Sequence, residues 1–287
     1  MNYRALIQNR KSVRAFTDKA VSSQDLNAIK SYFAKSALRL FPEIKTELHT
    51  FGLDARAALE GAAGYQQFLI GAPQYLVLLS EQHEHAGENG GYIMEDMVLK
   101  LTDMGLDTCW LSFTNGEHMK AALEITSNLI VIAIVAFGYG TKTPKRLRLN
   151  ILSMSNVDIA AQRGYFSPKS GIRDMVFMDR WGNSNGVDEY IGFYDDLLWE
   201  AFYAVSLSPS YLNRQPYGFI IHNGHIVLIR KPDTYTDEAH TKLGHGIALL
   251  HFNSVASEWA GKIKWNFNNL PELDLPEGYA AVASAAV

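Results

Sequence analysis

Cysteine is almost absent from this chain: Cys109 is the only one in 287 residues. An internal disulfide is therefore excluded, as is any zinc cluster built from cysteines alone. Long apolar runs are missing too. The longest, Leu129 to Phe137, falls far short of the roughly 20 residues that span a bilayer. The alanine-rich stretch after Tyr279 is too short and too weakly apolar to anchor anything. The opening, MNYRALIQNRKSVRAF, lacks the apolar core of a secretory signal, so the expected location is cytoplasmic, with no membrane partner. There is no Lys/Arg run either. The 26 basic residues face 30 acidic ones for a net charge of −4, so nucleic acid is not an expected partner.

Several catalytic signatures are also lacking. No HExxH exists, His83-Glu84-His85 is a short HxH in a polar loop, and His240, His245 and His251 do not share a helical face. No metal is expected. No G-x-S-x-G supports a hydrolase. Gly138-Tyr139-Gly140-Thr141-Lys142-Thr143 fails as a phosphate loop, which needs Gly directly before Lys and another Gly five positions earlier.

What is present is an ordinary globular composition, 47% hydrophobic and 20% charged, which excludes large-scale disorder. Folding at this length buries roughly three quarters of the extended-chain surface, in about two domains or one large one. Ser22 with Asp25 starts a capped helix carrying Leu26, Ile29 and Phe33 on one face. Thr46 to Phe51 reads as a strand, Arg56 to Phe68 as a small-residue helix and Tyr75 to Leu79 as a buried strand. Gln82 to Gly91 reads as a Gly-rich loop. Tyr92 to Met104 is a helix stopped by Gly105, and Leu129 to Phe137 a buried strand. From 151 to 185 the periodicity weakens, as in a connector. Asp188 to Val205 reads as one helix, with Phe193, Leu197, Ala201 and Ala204 inward. Asn223-Gly224 between Tyr217–His222 and His225–Arg230 is a hairpin signal. Gly244 to Trp259 is a second core helix. Strands with intervening helices indicate α/β or α+β.

The halves echo each other. An offset of 155 carries Gly91 to Gly246 and Trp110 to Trp265. The identities are few, but the order of elements repeats. This divides the chain into 1–150, a connector 151–185, and a shorter second half 186–287.

Two segments carry chemistry. In Arg10-Lys11-Ser12-Val13-Arg14-Ala15-Phe16, extended backbone puts Arg10, Ser12 and Arg14 on one side. Such a row suits a phosphate, although on pattern alone a solvated basic N-terminus is the favoured reading. In Ser208-Pro209-Ser210-Tyr211-Leu212-Asn213-Arg214-Gln215-Pro216-Tyr217, between a helix and a strand, amides that both donate and accept suit a ligand-binding loop. They equally suit a well-made turn.

Together these segments resemble the FMN-dependent nitroreductase family. Its pattern is R-x-S-x-R-x-F, then S-P-S-x-x-N-x-Q-P-W, then G-L-x-T-x-W, then a buried strand ending in G-Y with basic residues after it. Here they stand as Arg10 to Phe16, Ser208 to Tyr217, Gly105 to Leu111, and Phe137-Gly138-Tyr139 followed by Lys145-Arg146. The resemblance covers about residues 8 to 148 once and, more worn, 172 to 267 again. The loop motif should follow the first helix, but Ser36 to Pro42 has lost it. The second copy has lost the Arg/Ser row, with Arg173-Asp174 in its place. Members are ordinarily homodimers with FMN at the interface. A fused pair that keeps the row in one half and the loop in the other retains one complete site.

The resemblance thus implies an α+β nitroreductase-like fold, two related subdomains packing as an intramolecular pseudo-dimer, monomeric, with one FMN per chain. Arg10, Lys11, Ser12 and the pair Lys145/Arg146 would hold the phosphate, with Arg148 as a substitute for Arg146. Arg14 would face the flavin's N1–C2=O edge. Pro209, Ser210, Asn213 and Gln215 would line the ribityl chain and ring, and backbone groups of Trp110, Leu111 and Ser112 would reach N5. No side chain need act as acid or base, because the flavin carries the redox chemistry. The implied reaction passes a hydride from NADH or NADPH to a small electron-poor acceptor of nitroarene or quinone type. The alternatives are a flavin-sequestering protein and a flavin-free remnant.

Overall fold

The computed structural model describes residues 1–286 apart from 65–67, 142–145, 154–155, 163–167 and 193–196; for 146–153 and 156–162 it describes the backbone alone. The first half runs α1 (Tyr3–Asn9), α2 (Ser23–Lys35), β1 (Thr46–Phe51), α3 (Ala55–Leu59), β2 (Gln74–Ser80), α4 (Ala86–Asp103), β3 (Asp107–Leu111), α5 (Gly116–Ala122) and β4 (Ile130–Gly138). An antiparallel pair follows, β5 (Arg146–Ser153) with β6 (Asn156–Gln162). The second half runs β7 (Val176–Met178), α6 (Val187–Gly192), α7 (Leu197–Ser206), β8 (Tyr217–His222), β9 (His225–Arg230), α8 (Glu238–Ala260) and β10 (Ala280–Ala286).

Local chemistry explains much of this. Ser22 accepts the Asp25 N–H and caps α2. Asn223 and Gly224 both take positive φ, 48° and 73°, as the tight turn between β8 and β9 requires. Three sequence expectations need correction, and one segment without an expectation becomes a strand. Among the described residues of the helix expected over 56–68 only α3 is helical, with Gly61 and Gly64 at positive φ beyond it. The Gly-rich loop before Tyr92 is helical from Ala86, for the packing reason given below. Residues 188–205 hold two helices, α6 and α7, with Phe193 outside the described residues. The alanine-rich tail is strand β10, drawn into the sheet by β9 despite alanine's weak β-propensity.

Two four-stranded sheets result, ordered β1-β2-β4-β3 and β10-β9-β8-β7. In chain order β8, β9 and β10 stand where β1, β2 and β4 stand, with the same antiparallel neighbours. The counterpart of β3 is reduced to one bridge, Asn266 to Ser284, directly after Trp265. In the first half Leu111, directly after Trp110, pairs with Ile134. The second sheet instead gains the short parallel strand β7 at its other edge.

Helices α4 and α8 cross between the sheets. A Cβ on Gly91 would collide with the Leu243 carbonyl, and one on Gly246 with the Glu88 carbonyl. The 155-residue offset carries Glu88 to Leu243 and Gly91 to Gly246, so one contact occurs twice around a local two-fold axis. Glycine is required because backbone meets backbone here. Helix α1 then crosses the seam: its Ile7 is buried in the second half's core with Phe202, Phe219 and Phe252. This is an α+β architecture of two related subdomains, the arrangement the resemblance implies.

Candidate functional site

Helix α1 ends at Arg10, which the crossing leaves at the seam. The chain then runs extended beside the first sheet: Ser12 bridges Thr108, Val13 N–H donates to the Thr108 carbonyl, and Phe16 bridges Gly140. Isolated bridges at Ser12 and Phe16 thus tie this segment to the first sheet. The Arg10 side chain is only 7% exposed, whereas Lys11, Ser12 and Arg14 are exposed. Arg10 and Arg14 both act on Cys109, whose thiol burial nevertheless pushes up. Cys109 is thus a packed hydrophobe, not a nucleophile.

The second half supplies its loop to the same place through a chain of buried polar groups. Arg10 Nε lies 3.4 Å from Glu95 Oε1 on α4. Glu95 also faces His251 Nε2 of α8 at 3.1 Å and accepts from Trp110 Nε1 at 2.8 Å. His251 Nδ1 lies 2.9 Å from the Ala204 carbonyl and 3.0 Å from Ser208 Oγ. Both ring nitrogens of His251 are thus engaged, Nδ1 with a carbonyl and a hydroxyl and Nε2 with a carboxylate. Burial raises the Glu95 carboxyl, but the His251 hydrogen bond and the Arg10 charge outweigh it, and the net shift is downward.

The loop beyond Ser208 is tightly made. Pro209 is buried, and Leu212, Asn213 and Gln215 take positive φ of 48°, 58° and 47°. Such backbone persists only where surroundings hold it. Ser210 does so, accepting the Gln215 N–H on Oγ and the Asn213 N–H on its carbonyl. Asn213 Nδ2 donates to the Pro168 carbonyl. Gln215 is buried, donating to the Ser206 carbonyl and accepting the Ser170 N–H. Both amides thus grip residues 168–170. Between them Lys169 Nζ donates to the Ser208 carbonyl at 2.8 Å.

Trp110 and Leu111 lie on β3, an edge strand, and the Ser112 carbonyl accepts the Gly64 N–H. Lys145 lies outside the described residues, and Arg146 and Arg148 are on β5 with side chains that are not described. Glu95, His251 and Lys169 escaped the sequence reading. Only Trp110, their neighbour, stood in a recognisable pattern.

The mirror position is filled. Arg173 is 73% exposed and paired with Asp188. Asp174 accepts the Gly171 N–H. Phe41, from the first half's worn loop, stacks on His85 at 4.8 Å and meets Phe267 at 4.9 Å. Phe267 is the 155-residue counterpart of Ser112, so a large ring stands where the first half has a hydroxymethyl. Asn89 fixes this loop by accepting the Leu40 and Phe41 N–H groups.

The model of a family described as "Putative TM nitroreductase" matches residues 2–166, more than half of the sequence. The chain belongs to this nitroreductase family. A Thermotoga maritima structure described as a "putative nitroreductase" shares its fold, with TM-score 0.60 and 18% identity over 100% of this chain and 94% of that one. Shorter nitroreductases align with about half of it. A Bacteroides fragilis nitroreductase with bound FMN covers 56% of this chain and 99% of its own at 20% identity and TM-score 0.41. A Clostridium novyi nitroreductase family protein covers 49% and 86% at 22% identity and TM-score 0.43. No curated protein matches the sequence. Among this nitroreductase's described residues no three His, Cys, Asp or Glu side chains are placed to hold a metal ion. No described helix is long and apolar enough to cross a membrane.

Proposed function

We propose that this nitroreductase binds one FMN at the seam and oxidises NADH or NADPH, passing the electrons to an electron-poor acceptor of nitroarene or quinone type. The observation that carries this reading is the convergence of the Arg10 row with the Ser208 loop, through Glu95 and His251, while the mirror position is packed with aromatic rings. The residues present fit the cofactor. Arg10 Nε, buried 3.4 Å from Glu95 Oε1, completes no hydrogen bond there, so it retains donor capacity that a bound anion would satisfy. Arg14 and Ser12 lie exposed along the same extended segment.

Bound FMN would supply hydride acceptance and donation. This chain's part is to bind, orient and tune it. Arg10 and Ser12 would hold the phosphate, and Arg14 would place positive charge by the ring. The Ser208–Gln215 loop would form the opposite wall. Glu95, held ionised between Arg10 and His251, keeps both side chains in place. With the α4–α8 crossing satisfied internally, the chain would be a monomer.

The test is the visible spectrum of the purified protein under anaerobic addition of NADH, NADPH or dithionite. Flavin bands bleached by a nicotinamide and restored by a quinone or nitroarene are expected. Flavin that dithionite bleaches and neither nicotinamide does would make the protein a flavin-sequestering one. Absence of bound flavin, even after incubation with FMN, would overturn the reading.

A further inference from the structure

We propose that Lys169, carried by the segment joining the two halves, is a second cation of the phosphate subsite and acts with Arg10 across the seam. The inference rests on the FMN reading above and adds a residue to it. Three observations support it. First, Lys169 is held from both sides: Asn213 grips the Pro168 carbonyl and Gln215 the Ser170 N–H, while Nζ itself reaches the Ser208 carbonyl. Both of the loop's amides thus help to fix this one residue. Second, the charges around it do not balance. The charges acting on Lys169 are Arg10 from the end of α1 and Glu95 from α4, and Glu95 in turn faces His251 of α8. One carboxylate stands against two cations, Arg10 and Lys169 itself. Third, Arg10 Nε, though 3.4 Å from Glu95 Oε1, completes no hydrogen bond there. An excess of buried positive charge with a donor left without a hydrogen bond is a site for an anion, and a phosphate dianion supplies both charge and acceptors.

Burial, with Arg10 nearby, lowers the Lys169 amine to about 8. A bound dianion would favour the protonated amine, so binding takes up a proton wherever the free amine has lost one. The FMN phosphate is already doubly ionised above pH 7. Affinity should therefore hold below pH 8 and fall as the pH rises beyond it.

The experiment titrates deflavinated protein with FMN and with riboflavin, which lacks the phosphate, at pH 7.0 and 9.5. Wild type is compared with Lys169→Gln, which keeps a donor for the Ser208 carbonyl, and with Lys169→Arg, which keeps the charge at high pH. Circular dichroism verifies folding. For Lys169→Gln we expect FMN affinity about tenfold or more weaker at pH 7.0, with riboflavin affinity unchanged. Wild type should lose FMN affinity at pH 9.5, and Lys169→Arg should not. Inorganic phosphate should compete with FMN less well in Lys169→Gln than in wild type. Equal weakening of FMN and riboflavin would make Lys169 a loop support and overturn the proposal, as would FMN affinity unchanged in Lys169→Gln. Failure of wild type to bind either flavin would overturn the underlying FMN reading instead.

Discussion

Glu95 and His251 are 156 residues apart in the chain, yet their side chains meet in full burial. Buried ion pairs are weak sources of stability, because desolvation offsets most of the attraction. Their value here is positional: they register Arg10 and Trp110 of one half against Ser208 of the other. A second buried acid behaves differently. Burial pushes Glu88 up to about 7, with Lys242 opposing. Between pH 4.5, its ordinary value, and pH 7 the folded state keeps a proton that the unfolded chain releases. Its contribution is therefore full below pH 4.5, declines as pH rises to 7, and is constant above. At about 1.36 kcal/mol per pH unit the loss is about 3 kcal/mol at most. Glu88→Gln should be more stable than wild type at pH 8 and should lose this slope. Urea denaturation of both proteins at pH 5 and 8 measures it, and parallel pH profiles would show that Glu88 ionises freely.

Among the elements, α4 and α8 decide how the halves meet. Both close approaches are backbone against backbone, so no side-chain rotation can relieve an added methyl. Gly91→Ala and Gly246→Ala should each destabilise by about 3 kcal/mol or more, the upper range for overpacking. The double variant should cost less than the sum, because the first methyl already separates the helices at the second site. Thermal or urea unfolding of the singles and the double gives the coupling directly. Additive losses would mean that the two approaches are independent. Gly61→Ala is a useful contrast: it has positive φ but open space around it, so its cost is backbone strain alone.

For the whole molecule, the decisive prediction is one FMN site shared between halves. Arg10→Ala should weaken FMN by tenfold or more, in keeping with loss of a charge-assisted bond. Asn213→Ala should also weaken it, although about 200 residues separate the two positions, because Asn213 secures the segment on the facing wall. Arg173→Ala should leave affinity unchanged, since it removes only an exposed pair with Asp188. Titration should saturate at one FMN per chain, and light scattering should give 32.0 kDa, the mass of a single chain. Two FMN per chain, or an Arg173 variant as damaged as Arg10, would restore a working mirror site.

The sequence by itself determined what repeats locally or obeys a fixed period. Ser22 capped α2, Asn223-Gly224 turned β8 into β9, and the 155-residue offset of Gly91 and Trp110 marked the two-fold relation. These need only neighbours along the chain or a match between two short strings. It also exposed the complementary loss of motifs, because absent residues are legible as letters. What required tertiary structure were the contacts that no local pattern encodes. The glycines before Tyr92 read as loop because glycine is a poor helix former, and only close packing by α8 on Gly87 and Gly91 and by the first sheet on Gly90 explains why glycine stands in this helix. Ala280 to Ala286 has weak strand propensity and became β10 because β9 offered an unpaired edge. Glu95, His251 and Lys169 had no motif. Their meaning arises from α4, α8 and the joining segment converging at one seam, where low dielectric makes each charge depend on the others.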